Sequence, residues 1–101
     1  MTSLKRSAVV PELPTIAESG YPGFEATIWM GVFAPAKTPV TILRKLHLEI
    51  VKALALADLR AKFGELGIEP VGNSPDEFAT VIASGIPKWA KVIKQSGIKP
   101  D

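Results

Sequence analysis

Hydrophobic and polar positions change their period along the chain, and each period predicts an element. Phe24, Ala26, Ile28 and Met30 alternate with Glu25, Thr27, Trp29 and Gly31, the period of two that marks a strand with one apolar face. Tyr21-Pro22-Gly23 ahead of it is turn chemistry, and Pro35 closes it. From position 39 the period lengthens. Leu43, Leu46, Ile50 and Leu54 recur every three or four residues, Ile42 and Val51 widen the stripe, and Arg44, Lys45, Glu49 and Lys52 take the other faces. That spacing predicts an amphipathic helix, with Thr38 as its N-cap and Pro39 in its first turn. Asp58 is placed to cap a second helix carrying Leu59, Phe63 and Leu66, which Gly67 ends in a left-handed conformation. Ser74, Pro75 and Glu77 predict a capping box for a third helix carrying Phe78, Val81 and Ile82. Gly85 and Pro87 follow inside it. An interior proline costs a helix about 3 kcal/mol, so the pattern predicts a kink or break near 84–86 and a fresh segment from Pro87 through Trp89 to Gly97.

Before the strand the chain reads as irregular, because Pro11 and Pro14 remove backbone donors and extend the residues ahead of them. Thr15 and Glu18 make a capping box for one short turn that Gly20 ends. The chain divides accordingly: a lead-in with a short helical turn over 1–23, the strand over 24–34, and a helical part over 39–97, forming a single unit over 1–101. The fold class is α+β, with one main strand, short extended segments such as 68–71, and three to four helices.

Composition changes this picture little. An apolar fraction of 47% and a charged fraction of 22% are ordinary for a globular domain. Twelve basic and ten acidic residues leave +2, too even a balance to point to a partner. Cysteine is absent, which removes disulfides and thiolate chemistry. No apolar run reaches the length of a membrane span, and residues 1–13 carry no signal peptide. The one histidine, His47, has no partner at metal-ligand or acid–base spacing, and no HExxH, GxSxG, GxGxxG or P-loop pattern occurs. No catalytic residue, metal ligand or cofactor is assigned, and an enzyme is not expected. Lys88, Lys91 and Lys94 recur every three residues near Trp89, but with so small a net charge they read as a solvated helix face, and no nucleic-acid partner is expected.

Trp29 is harder to explain as filler. Alternation sets it on the strand face of Thr27 and Glu25, opposite Ile28 and Met30. Two readings stand: the indole packs under a helix, or Trp29 and Thr27 border a ligand cleft, where an indole offers flat area and one donor.

Four stretches in register carry a resemblance: PELPTIAESGYPG from position 11, WMGVFAPAKTP from 29, LGIEPVGNSPDEF from 66, and 89–99. Together they resemble the closing segment of Bug-type receptors of tripartite tricarboxylate transporters. The resemblance implies the carboxy-terminal part of a two-lobed, type II-like periplasmic binding protein about three times this length. It implies that 24–34 crosses between lobes, and that a small carboxylate is bound only in the full-length context, with Trp29 and Thr27 as candidate ligand-binding residues. A periplasmic location and a membrane permease as partner are implied in the same way. Without the neighbours such a receptor would supply, the strand is expected to pair with another copy as a homo-oligomer. Two other functions stay open: a stand-alone, self-associating structural module without ligand, and a weak anion or nucleic-acid binder.

Overall fold

The computed structural model describes residues 1–99. Three helices follow an irregular first part: α1 (Val40–Leu54), α2 (Ala57–Glu65) and α3 (Pro75–Ser96). Helix α1 lies against both α2 and α3.

The helix ends show which local signals the backbone obeys. At the start of α3, Ser74 Oγ accepts from the Glu77 N–H at 3.2 Å while the Ser74 N–H donates to Glu77 Oε2 at 2.7 Å, the reciprocal box that satisfies two otherwise orphaned donors. At the end of α2, Gly67 takes φ +67°, and the Gly67 and Ile68 N–H groups return to the carbonyls of Gly64 and Phe63 at 3.0 and 2.8 Å. Only a residue that tolerates positive φ closes a helix this way at no steric cost. Two expected caps are displaced. Thr38 turns its hydroxyl back to the Pro35 carbonyl at 2.7 Å, so Pro39 is the N-cap of α1 and no side chain caps it. Asp58 lies within the first turn of α2, after Leu56 as N-cap, where its charge still meets the positive end of the helix dipole.

Of the kink or break expected near 84–86, the break does not occur. Helix α3 runs unbroken for 22 residues with Pro87 inside it. Proline removes the N–H that would reach the carbonyl four residues back, at Ala83. Ala83 and Pro87 are both exposed, so water can take that carbonyl and the loss is smaller than in a packed helix.

The α1 stripe is also corrected in one position. Leu43, His47, Ile50 and Leu54 are its sheltered residues, while Leu46 faces water. His47 lies 3.2 Å by Nε2 from the Gly72 carbonyl, so its polar edge is matched to the 68–74 link, and the slot predicted for a leucine holds a histidine.

The expected main strand has no ladder. Residues 24–33 pair with no other strand among the described residues, which therefore form an all-helical framework with an extended-pattern segment laid on α3. A strand needs a neighbour's run of N–H and C=O groups, and a single bond, from the Ala26 N–H to the Thr2 carbonyl, does not make a ladder.

The lead-in is fastened by its own small network. Thr15 is 0% exposed. Its N–H donates to Glu18 Oε2 at 2.8 Å, its Oγ1 accepts from the Glu18 N–H at 3.1 Å, and Arg6 Nε approaches both Glu18 oxygens at 3.1 and 2.9 Å. The Ile16 N–H reaches the Met1 carbonyl, and the Ala26 N–H reaches that of Thr2.

Both boxed carboxylates are held below their ordinary value of 4.5: Glu18 first by the Thr15 N–H and then by Arg6, Glu77 first by the Ser74 N–H and then by the Ser74 hydroxyl. A carboxyl with a lowered folded pKa adds stability that is complete above its unfolded value and is lost as pH falls through the folded one. The 15–19 turn and the first turn of α3 are therefore expected to loosen together on acidification below pH 4.5. Amide exchange at Glu18 and Glu77 measures this. Glu77→Gln should remove the pH dependence at the α3 start and leave that at Glu18; an unchanged profile at both sites contradicts the assignment.

Candidate functional site

Side chains of 27–33 alternate across α3 as a strand's would. Trp29 and Phe33 bring their rings to Phe78, with centroids at 5.1 Å edge-on and 5.3 Å tilted. Between them, the Gly31 backbone comes so close that a Cβ there would lie 2.3 Å from Phe78 Cζ. Any larger residue there would have to displace the Phe78 ring. The even-numbered side chains face away: Ile28 is 99% exposed, Met30 77% and Val32 76%. The period of two is thus obeyed by the side chains although no strand partner is present.

Lys88 supplies the second anchor. Its Nζ donates to the Glu25 carbonyl at 2.6 Å and stands 5.4 Å from the centre of the Trp89 ring, within the range of a cation–π contact. The lysine expected on a solvated face instead ties the segment to α3.

Trp29 and Trp89 border an open groove of about 330 Å³ whose floor is Ile82, Gly85 and Ile86. The Trp29 indole meets Phe78 on α3 and, 49% exposed, also lines the groove. Thr27 is exposed and lies on the odd-numbered face with Trp29. The groove lining is two indoles, two isoleucines and a glycine with no charged side chain, so it suits an apolar body far better than an isolated anion. A smaller hollow of about 140 Å³ lies between α1 and the 70–72 link, where Arg60 donates to the Leu54 carbonyl at 3.3 Å. Among the described residues, no three His, Cys, Asp or Glu side chains gather as metal ligands. No helix there is long and apolar enough to cross a membrane.

Sequence reasoning missed Phe78, Gly31 and the Glu25 carbonyl as the parts that hold the segment. The helical stripe marked Phe78 as apolar but could not say what it meets, and Gly31 appeared only as the polar-face member of an alternation.

The whole arrangement matches known proteins. The profile of the tripartite tricarboxylate transporter family receptors matches residues 1–98. The chain belongs to this receptor family. Among its relatives, the UPF0065 protein in the tcbD-tcbE intergenic region of a Pseudomonas species is 44% identical over 94 residues, covering 92% of this chain and 28% of the relative. Protein BugT of Bordetella pertussis is 38% identical over 97 residues, covering 96% of this chain and 30% of the relative. The solved periplasmic binding protein BugD superposes with a TM-score of 0.78 at 36% identity, over 99% of this chain and 34% of BugD. A solved R. palustris protein with adipate gives 0.79 at 38% identity, over 99% and 33%. This receptor-family chain therefore spans about a third of the length of each of these four proteins.

Proposed function

We propose that this chain forms one part of a periplasmic receptor that binds a small carboxylate and delivers it to the membrane permease of a tripartite transporter. The observation that carries the reading is the superposition of nearly the whole chain, at a TM-score of 0.79 and 38% identity, on a protein solved with adipate. The work is recognition, not catalysis. The matching family is one of receptors, BugD is a periplasmic binding protein, and the groove lining holds no acid–base pair.

In this reading Thr27 and Trp29 border the ligand cleft. The Thr27 hydroxyl is exposed and free to donate to a carboxylate, and the indole beside it offers flat apolar area to a ligand's methylene chain. The anchoring of 24–33 to Phe78 and Lys88 fixes where both side chains stand. In a chimera of the R. palustris receptor whose matching third is replaced by this chain, Thr27→Ala is expected to weaken adipate binding about tenfold, the loss of one hydrogen bond to a charged group. Trp29→Ala should weaken it at least as much, and Lys94→Ala should not change it. Calorimetric titration of the three variants checks this, and equal affinities would remove both residues from the site. A self-associated module is the second reading, and the full exposure of Ile28 favours it.

A further inference from the structure

The sheltered row of α1 is Leu43, His47, Ile50 and Leu54. Leucine and isoleucine contacts have no direction, so sliding such a row past its neighbour by one helical turn, about 5.4 Å, exchanges like for like. A polar side chain within the row is the exception. It must meet one particular partner or lose a hydrogen bond, and in this way a single polar residue fixes the register of packed elements.

Among the described residues, the contact of His47 Nε2 with the Gly72 carbonyl, at 3.2 Å, is the only hydrogen bond between α1 and any residue from 68 onward. A carbonyl oxygen can only accept, so Nε2 carries the hydrogen and, in the neutral ring, Nδ1 does not. Beside this bond the Gly72 backbone meets apolar side chains: a Cβ built on it would lie 3.4 Å from Leu54 Cδ1 and 3.5 Å from Val51 Cγ2. His47, Val51 and Leu54 follow one another at helical spacing, so the link rests across one face of α1 and a single polar group marks its place there.

That place matters beyond the link. Gly72 stands two residues before Ser74, the N-cap of α3, and Phe78, one turn further on, receives Trp29 and Phe33. Residues 24–33 in turn lead through the 35–39 turn into α1. The chain therefore closes a loop: from the extended segment through α1, α2 and the link to α3, and back to the segment at Phe78 and Lys88. Where the link sits along α1 decides which part of α3 the segment meets.

We infer that His47 is a positioning residue for the segment bordering the ligand: its Nε2–H, given to the Gly72 carbonyl, sets the register of α3 against α1 and thereby the places of Thr27 and Trp29. His47 acts through the backbone and not on the ligand. The inference deepens the receptor reading and rests on it only for the role of those two side chains.

The test compares two variants. His47→Leu puts an aliphatic residue into the aliphatic row and removes the donor, whereas His47→Gln keeps an amide nitrogen at the same depth from Cβ as Nε2, able to donate. Both are made in the chain and in the R. palustris chimera. Nitrogen–proton NMR of the unsubstituted chain should show the hydrogen of the neutral ring on Nε2. The Gly31 amide and the Trp29 indole should each give a single signal in the unsubstituted chain and in His47→Gln, and more than one in His47→Leu, as the link visits neighbouring registers. In the chimera, His47→Leu should weaken adipate binding about tenfold, the factor by which one hydrogen bond selects a register, while His47→Gln stays within about twofold. Hydrogen on Nδ1, single Gly31 and Trp29 signals in His47→Leu, or equal affinity in all three proteins overturns the inference. His47→Gln as defective as His47→Leu overturns it too, whether the defect is in folding or in affinity. The expected signal pattern in a chimera that binds no adipate would refute the ligand reading and leave the register role of His47 standing.

Discussion

Replacing Gly31 by alanine is expected to lift residues 27–33 off α3, although it adds a single methyl group at a position without a positive φ. The new Cβ would stand 2.3 Å from Phe78 Cζ and 2.8 Å from Cε1, well inside contact distance. The ring has little room to retreat, because Trp29 meets it edge-on and Phe33 lies tilted against it. Moving Phe78 therefore disturbs two aromatic contacts, each worth about 0.5–1.5 kcal/mol beyond its buried area. Overpacking of this kind costs about 1–3 kcal/mol.

The effect should be visible as a red shift of the Trp29 emission and faster exchange of the nearby amides, with Trp89→Phe as background to isolate the one indole. Phe78→Leu in the same chain removes the ring edge that the methyl group meets. The double variant should then lose less than the two single losses added together, since residues in contact couple. Additive losses would show that the close approach is not what holds the segment. A silent Gly31→Ala would show that 27–33 moves freely over α3, and would take the positioning of Thr27 and Trp29 with it.

The helices were legible because their signals are local. The Ser74/Glu77 box and the Gly67 terminus each depend on a few adjacent residues, and both form as the sequence predicts. The errors lie where a distant or solvent term decides. Pro87 argues for a break on local energetics, yet Ala83 and Pro87 are both exposed and the helix continues. His47 showed no partner in the sequence, because its partner is the carbonyl of Gly72 in a separate link.

The 24–33 segment divides the same way. Its alternation was readable, and the side chains obey it, but a strand is a relation between two segments and no pattern within one can supply the other. For the candidate site, the sequence isolated Trp29 through its odd place in that alternation. It could not show that Phe78 receives the indole, nor that Lys88 secures the backbone at Glu25, since those contacts join positions far apart along the chain. The groove with Trp89 was hidden for a further reason: the expected break at 84–86 would have carried Trp89 away from Ile82, and only an unbroken α3 puts both on one wall.

Carboxylate binding by a completed receptor is the second large effect expected. The chain alone exposes the outward row of 27–33 and leaves an open groove, so it should give no saturable heat with adipate. Joined to the remaining two thirds of the R. palustris protein, it should complete a closed site, because closure removes water from the apolar groove and strengthens each hydrogen bond to the anion. Charge should matter as well as shape, so the diamide of adipate, similar in size and without charge, is expected to bind at least tenfold more weakly, the loss of charge-assisted hydrogen bonds. Isothermal titration of the cooperatively folded chimera with adipate and with its diamide is the most direct measurement. The account predicts saturable one-to-one binding of the dicarboxylate and clear discrimination against the diamide; a folded chimera that binds neither, or both equally, contradicts it.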